Sequence, residues 1–161
     1  MLLQLAWASG DQTDHGTVRV LTYNIHHGQG TDGRFDLPRL AAVIKSVQPD
    51  VVALQEVDQG TDRAGGVNQV AELERLTGMH AEFGKAMDFS NGAYGVAVLS
   101  RWPFLSTANH PLPGSGDREP RTALTVQVRV GKRGPLLQFT STHLDQSREG
   151  ENRWVQARHL N

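Results

Sequence analysis

The chain has 161 residues, with 16 Lys and Arg against 17 Asp and Glu, and a formal net charge of −1. This length is typical of one domain, and the charge argues against a protein that coats long nucleic acid, because such proteins neutralise many phosphates with basic side chains. The absence of Cys excludes a disulfide framework, a thiolate zinc site and a Cys nucleophile. No apolar run is long enough to span a bilayer, so we expect no membrane partner.

The first 16 residues differ in character from the rest of the chain. Ala6-Trp7-Ala8 has the small-x-small form of a signal-peptidase site, but no positive segment precedes it and the apolar stretch is short. Residues 1–16 are therefore predicted to be a flexible leader or the remnant of an export signal, and residues 17–161 to form the folded part. The cellular location of the protein stays open. The remnant of an export signal implies a secreted or periplasmic protein, whereas a plain leader implies a cytoplasmic one.

Hydrophobic periodicity predicts alternating strands and helices in the first half of the chain. Residues 18–24 are rich in β-branched and aromatic side chains, as in a strand, and Asp36 is placed to cap a helix that has one apolar face. The continuous apolar run at residues 51–54 predicts a strand that is covered on both faces. Apolar spacing over residues 67–76 predicts a second helix, with Gly78 as its C-terminal stop.

Strands dominate the second half. Residues 79–89 show no decisive pattern. Four strands are predicted, over residues 94–100, 104–109, 124–130 and 136–143. A final helix is predicted over residues 148–160. Strands that alternate with helices and then follow one another argue for a layered α/β architecture.

Three of the predicted strands end in a polar side chain: Asn24, Glu56 and His143, with Asp145 just beyond the last of these. Ligand-binding groups gather at strand ends in layered α/β folds. Glu is rarely buried without a partner, and carboxylate and amide oxygens suit hard divalent ions such as Mg²⁺ or Mn²⁺. On spacing alone, a salt-bridged Glu56 and a turn-forming Asn24 remain an equally open alternative.

Five segments resemble, in order, the motifs of the endonuclease/exonuclease/phosphatase superfamily, which has the deoxyribonuclease-I-like fold. They are Leu21-Thr22-Tyr23-Asn24-Ile25, Pro49-Asp50-Val51-Val52-Ala53-Leu54-Gln55-Glu56-Val57, Tyr94-Gly95-Val96-Ala97-Val98-Leu99-Ser100-Arg101-Trp102-Pro103, Glu119-Pro120-Arg121 and Ser141-Thr142-His143-Leu144-Asp145. The resemblance covers about residues 18–160 and implies Mg²⁺- or Mn²⁺-dependent hydrolysis of a phosphoester, here expected to be a phosphodiester.

The resemblance also implies roles for individual residues. Asn24 and Glu56 match the superfamily's metal-site residues, and His143 matches the His that contacts the scissile phosphate. Arg121 matches a position near the site and is a second catalytic candidate. We expect His26, in the loop after the first motif, and Asp145 to lie beside the substrate.

Two later motifs of the superfamily, Gly-Asp-x-Asn and Ser-Asp-His, do not occur after His143. By resemblance they supply further acids around the metal and phosphate and the His that activates water. The chain therefore resembles the N-terminal half of the sandwich, expected as one mixed sheet with helices on one face. Such a half exposes an apolar face, for which residues 94–100 are the candidate, so we expect a homodimer that covers it.

Two other functions stay open at this point. The first is a catalytically inactive, self-assembling fragment that keeps part of the metal site. The second is a zinc hydrolase built on His26, His27, His143 and Asp145, since imidazole suits zinc. Candidate replacements for the missing acids are Asp58, Asp62 and Asp145.

Overall fold

A computed structural model describes residues 17–114, 118–148 and 150–160, so the predicted leader at residues 1–16 lies outside the described residues. The described elements are β1 (Val20–Asn24), α1 (Leu37–Val47), β2 (Val51–Gln59), α2 (Gln69–Thr77), β3 (His80–Phe89), β4 (Gly92–Ser100), β5 (Phe104–Leu112), β6 (Arg121–Arg129), β7 (Leu136–Thr142) and α3 (Glu151–His159). None of the described helices is long and apolar enough to cross a membrane.

The strands form two sheets. The first has the order β1-β2-β4-β3 and is mixed, because β1 and β2 are parallel while the other pairs are antiparallel. The second has the order β5-β6-β7 and is antiparallel. The predicted layered α/β class is confirmed, but the single sheet expected from the sequence is two sheets. The reason is that β6 pairs with β5 on one side and β7 on the other, and so has no edge left for the first sheet.

Helices α1 and α2 cover one face of the first sheet. The Asp36 carboxylate caps α1 by accepting a hydrogen bond from the backbone N–H of Arg39 at 2.9 Å, as predicted for this position. Gly78 ends α2 in the left-handed conformation that a residue without a side chain adopts easily, with a φ of 74°. The core between these layers consists of Ile25, Leu40, Ala41, Ile44, Val52, Leu54, Val57, Val70, Leu73, Ala97 and Leu99.

The other face of the first sheet is covered by the second sheet. Val96 and Val98 of β4 pack there against Leu124 and Val126 of β6. Because both faces of β4 are covered, the strand is buried from Tyr94 to Ser100. The expectation that residues 94–100 form an exposed apolar face is therefore wrong, and the homodimer stays a prediction without that support.

Residues 79–89, which had no decisive pattern, form strand β3. This strand lies at the edge of the first sheet, and most of its side chains are only partly buried or exposed. An edge strand needs no strict alternation of apolar and polar side chains, which explains the weak sequence signal. The predicted C-terminal helix is present as α3, but it begins at Glu151, after Gly150.

Candidate active site

A cleft of about 250 Å³ opens where the ends of both sheets meet. Its lining consists of His26, His27, Glu56, Arg63, Met87, Phe89, Tyr94, Glu119, Arg121, His143 and Gln146. The topology explains this gathering, because β1 ends, β6 begins and β7 ends at the same side of the molecule. The structure thus brings together four of the six predicted site residues, which come from segments far apart in the sequence.

Glu56 reaches the cleft through a bulge in β2. The pairing with β4 passes from Gln55 opposite Val96 to Val57 opposite Gly95, which leaves Glu56 outside the ladder. Its φ of 57° is left-handed, a backbone conformation that costs a non-Gly residue about 1–2 kcal/mol. Bulges of this kind commonly redirect a side chain at a functional site. Without the bulge, the alternation of side chains along β2 would direct Glu56 into the core under the helices. With the bulge, the Val57 side chain lies in that core instead.

Asn24 orients the Glu56 carboxylate. Its Nδ2 donates to Glu56 Oε1 at 2.7 Å, and its Oδ1 accepts a hydrogen bond from the backbone N–H of His26 at 2.9 Å. Both ends of the Asn24 amide are therefore engaged inside the site. That Asn24 itself binds an ion stays a prediction, whereas its contact with Glu56 is direct.

Glu56 lies beside two imidazoles that are suitable for a cation. Each of the residues His26, His27 and Glu56 offers one possible ligand atom, and these three atoms lie within 4.8 Å of one another. His26 Nδ1 is 3.3 Å from the carbonyl oxygen of Gln29, an arrangement that leaves Nε2 available. Burial lowers the pKa of His27, helped by the charges of Arg63 and His26, so this ring is neutral and able to bind a metal near pH 7. These residues fit a divalent cation.

Arg121 connects His143 and Glu119 on the opposite wall. Its NH1 lies 3.1 Å from His143 Nδ1 and 2.9 Å from Glu119 Oε1. Because a guanidinium can only donate, His143 Nδ1 accepts, and the proton of the neutral ring must be on Nε2. Burial lowers the pKa of His143, and the positive charge of Arg121 lowers it further. His143 is thus a neutral ring whose Nε2–H is free to donate to a ligand.

Arg121 also holds an unsatisfied donor. The residue is 6% exposed, and its Nε is the one buried side-chain nitrogen or oxygen without a hydrogen-bond partner among the residues that the structure describes. Leaving such a donor unpaired costs about 1–3 kcal/mol. The guanidinium also brings a fixed positive charge to the lining of the cleft. The chemistry of this wall therefore fits a bound phosphate.

Tyr94 joins the two walls. Burial raises the pKa of its hydroxyl, and the nearby carboxylates of Glu119 and Glu56 raise it further, so the side chain stays protonated. Sequence reasoning missed Tyr94 and Glu119 as site residues, although both lie inside the motifs quoted above.

Asp145 and Asp62 are engaged elsewhere. The Asp145 carboxylate accepts a hydrogen bond from the backbone N–H of Ser147 at 2.7 Å, and the bonding to Ser147 lowers its pKa. Gln156 of α3 accepts the backbone N–H of Asp145 at 2.9 Å, so this acid organises the turn after β7 and does not line the cleft. Asp62 accepts a hydrogen bond from Asn91 at 2.6 Å.

Arg63, which sequence reasoning also missed, lies on the cleft wall and is held from behind by Asp58. Its Nε and NH2 donate to the two Asp58 oxygens at 2.6 and 2.8 Å. Thr61 donates its hydroxyl to the same carboxylate at 2.6 Å. The guanidinium carbon is 4.4 Å from the ring centre of Phe89 and 5.4 Å from that of Tyr94. No local signal marks this Arg, because it lies in a Gly- and Asp-rich loop.

The model of the Endonuclease/Exonuclease/phosphatase family matches residues 21–160. The uncharacterised protein YbhP of Escherichia coli K12 is 31% identical over 143 residues, which are 83% of this chain and 56% of YbhP. The chain therefore spans about half the length of the curated relatives that it matches.

Solved structures share the fold of this chain. An endonuclease/exonuclease/phosphatase from Beutenbergia cavernae is 31% identical, with a TM-score of 0.75 over 89% of this chain and 43% of its own. D. rerio TDP2 with 14 humanising mutations is 22% identical, with a TM-score of 0.66 over 89% of this chain and 54% of its own. The second likeness supports the fold alone. The resemblance recognised in the five sequence motifs is confirmed.

Proposed function

Because this chain belongs to the endonuclease/exonuclease/phosphatase family, whose members hydrolyse phosphoester bonds, we propose that it hydrolyses a phosphodiester with a divalent cation, Mg²⁺ or Mn²⁺. The observation that carries this proposal is that Glu56, Arg121 and His143, from segments far apart in the sequence, line one cleft. A carboxylate that suits a cation and a guanidinium that suits an anion then lie in the same cleft.

Glu56 would hold the cation, oriented by Asn24, with His26 and His27 close enough to contribute nitrogen ligands. When bound, such an ion polarises a phosphoryl oxygen and favours attack by water. The bulge at Glu56 and the engaged amide of Asn24 hold the carboxylate in place before any ion arrives.

The opposite wall stabilises the phosphate. The Arg121 guanidinium and the His143 Nε2–H can donate hydrogen bonds to a phosphoryl oxygen, and both belong to side chains fixed by the contact at 3.1 Å between Arg121 NH1 and His143 Nδ1. Donors that are already oriented stabilise the charge that builds up on the phosphate during the reaction. Asp58, Asp62 and Asp145 are poor replacements for the acids of the later family motifs, because each is engaged in hydrogen bonds within the fold.

The test is hydrolysis of bis(p-nitrophenyl) phosphate with Mn²⁺, with Mg²⁺ and with EDTA. We expect turnover that requires the metal and is lost in Glu56→Gln, while Glu74→Gln, an exposed change on α2, leaves it intact. Turnover that survives EDTA or the Glu56 variant would contradict the proposal. Stabilisation by Mn²⁺ without any turnover would favour the alternative of an inactive fragment that keeps part of the metal site.

A further inference from the structure

We propose that Arg63, with the Phe89 and Tyr94 rings beside it, forms a second anion subsite that binds a further phosphate group of the substrate. This phosphate is distinct from the one that is hydrolysed. The inference rests on the proposed function and extends it, because it defines the substrate class as phosphodiesters that carry a second phosphate.

The first support is the way in which Arg63 is held. Asp58 is 0% exposed, whereas the Arg63 side chain is 32% exposed and lies on the cleft wall. Two of the five guanidinium N–H groups donate to Asp58, and among the described residues no second acceptor takes the remaining three. Buried ion pairs contribute little net stability, so a pair arranged to point an Arg into a cleft suggests a role in binding.

The second support is the aromatic stack. The guanidinium carbon lies 4.4 Å from the Phe89 ring centre and 5.4 Å from that of Tyr94, so the two rings restrict its position. An Arg that is bound by a carboxylate and packed against two aromatic rings loses little further conformational freedom when it binds a phosphate. The hydrogen bond to Asp58 raises the pKa of Arg63, so the group stays cationic.

The third support is the separation between Arg63 and the hydrolytic wall. The Tyr94 ring centre lies 5.4 Å from the Arg63 guanidinium carbon, whereas Arg121 is paired with Glu119 at 2.9 Å and lies beside His143. The two guanidinium groups therefore have different partners within one cleft. Both guanidinium groups line the same open cleft, which has a volume of about 250 Å³.

The experiment uses two matched esters. One is the p-nitrophenyl phosphodiester of 1,3-propanediol, and the other carries an additional phosphate on the far hydroxyl. We expect the phosphorylated ester to have a KM about tenfold lower, in line with charge-assisted hydrogen bonds to one phosphate. The same pair built on thymidine, with and without a 3′-phosphate, shows whether a nucleotide strengthens this preference.

The variants separate binding from folding. Arg63→Gln alone leaves the buried Asp58 unpaired, so the decisive protein is the double variant Asp58→Asn with Arg63→Gln, which removes both charges. We expect the KM ratio of the two esters to fall to about one in this variant. Arg75→Gln is the matched control, because Arg75 is also paired with a carboxylate, Glu72, at 2.6 Å but lies on α2 outside the cleft lining.

Three results would overturn the subsite. The first is equal KM values for the two esters in the unaltered protein. The second is a KM ratio that stays the same in the double variant. The third is an increase in KM in the double variant that is equal for both esters. The last would place Arg63 at the scissile phosphate.

A binding measurement in EDTA separates this inference from the proposed hydrolysis. If the protein turns over neither ester, calorimetric titration with 1,3-propanediol bisphosphate and with the monophosphate still tests the subsite. Tighter binding of the bisphosphate, lost in the double variant, would support the subsite while the hydrolytic function fails. Equal binding of the two compounds would reject it.

Discussion

At the residue scale, the cleft depends on side chains that hold other side chains. Asn24 holds Glu56 by a hydrogen bond of 2.7 Å, Arg121 holds His143 at 3.1 Å, and Asp58 holds Arg63. Each supporting contact fixes a charge, a tautomer or an orientation before a ligand binds. Such pre-organisation increases the stabilisation that a site offers to a developing charge.

We expect Asn24→Ala to weaken metal binding without abolishing it. Mn²⁺ should raise the melting temperature of the unaltered protein, because a ligand that binds only the folded state stabilises it. Loss of an orienting contact to a ligand typically reduces metal affinity by about 10- to 100-fold. Titration of the melting temperature with Mn²⁺ measures this change, with Glu56→Gln as the reference for complete loss. An unchanged affinity in Asn24→Ala would show that the contact has no role in metal binding.

The lowered pKa of His143 predicts a loss of stability in mild acid. The folded state favours the neutral ring, so below about pH 6.5 the unfolded chain binds more protons than the folded protein does. The free energy of unfolding should therefore fall as the pH decreases from 6.5 towards the lowered pKa. Denaturation in EDTA at several pH values measures the slope, which His143→Gln should reduce. His27 shifts in the same direction, so part of the slope should remain.

At the element scale, two bulges shape the site end of the first sheet. Strand β2 bulges at Glu56 and strand β3 bulges between Lys85 and Met87, and both irregularities lie opposite Gly95 of β4. A Cβ at Gly95 would collide with the carbonyl oxygen of Gly84. The bulge that places Glu56 in the cleft therefore lies beside a position where the neighbouring backbones leave no room for a side chain.

We expect Gly95→Ala to destabilise the protein by about 2 kcal/mol or more, because a backbone atom must move to make room for the methyl group. Gly114→Ala is the control, because a Cβ there has no atom within 4 Å. Urea denaturation of both variants checks the prediction, and equal stabilities would contradict it.

At the scale of the whole molecule, the first sheet is covered on both faces, by helices on one and by the second sheet on the other. The two sheets meet through Val96, Val98, Leu124 and Val126, with Phe104 and Phe139 at the margin. The cleft lies at one end of this arrangement, so its two walls belong to different sheets. Packing between the sheets therefore sets the distance between the cation side and the phosphate side.

The homodimer remains a prediction at this scale. Light scattering at micromolar concentration should give twice the mass of the chain if a second copy binds symmetrically. A mass of one chain, 17.6 kDa, would contradict it. The buried strand β4 does not form the interface, since both of its faces are covered within the chain.

The sequence by itself determined the order of the elements apart from β3, and it indicated four of the residues that line the cleft. Periodicity and capping are local properties, so the α1 cap at Asp36, the α2 stop at Gly78 and the apolar run before Glu56 could be recognised directly. Five motifs in order were specific enough to indicate the family. The polar side chains at strand ends then indicated where the site should lie.

Only the tertiary structure decided how those residues act. The bulge at Glu56 depends on pairing with β4, and the tautomer of His143 depends on Arg121 from another strand. Arg63 enters the cleft because Asp58 is buried behind it and two rings lie beside it, and the second sheet forms because β6 pairs on both of its edges. Asp145 does not line the cleft, and its carboxylate accepts a hydrogen bond from the backbone N–H of Ser147 in the turn after β7. Each of these outcomes depends on contacts in three dimensions, which local periodicity does not encode.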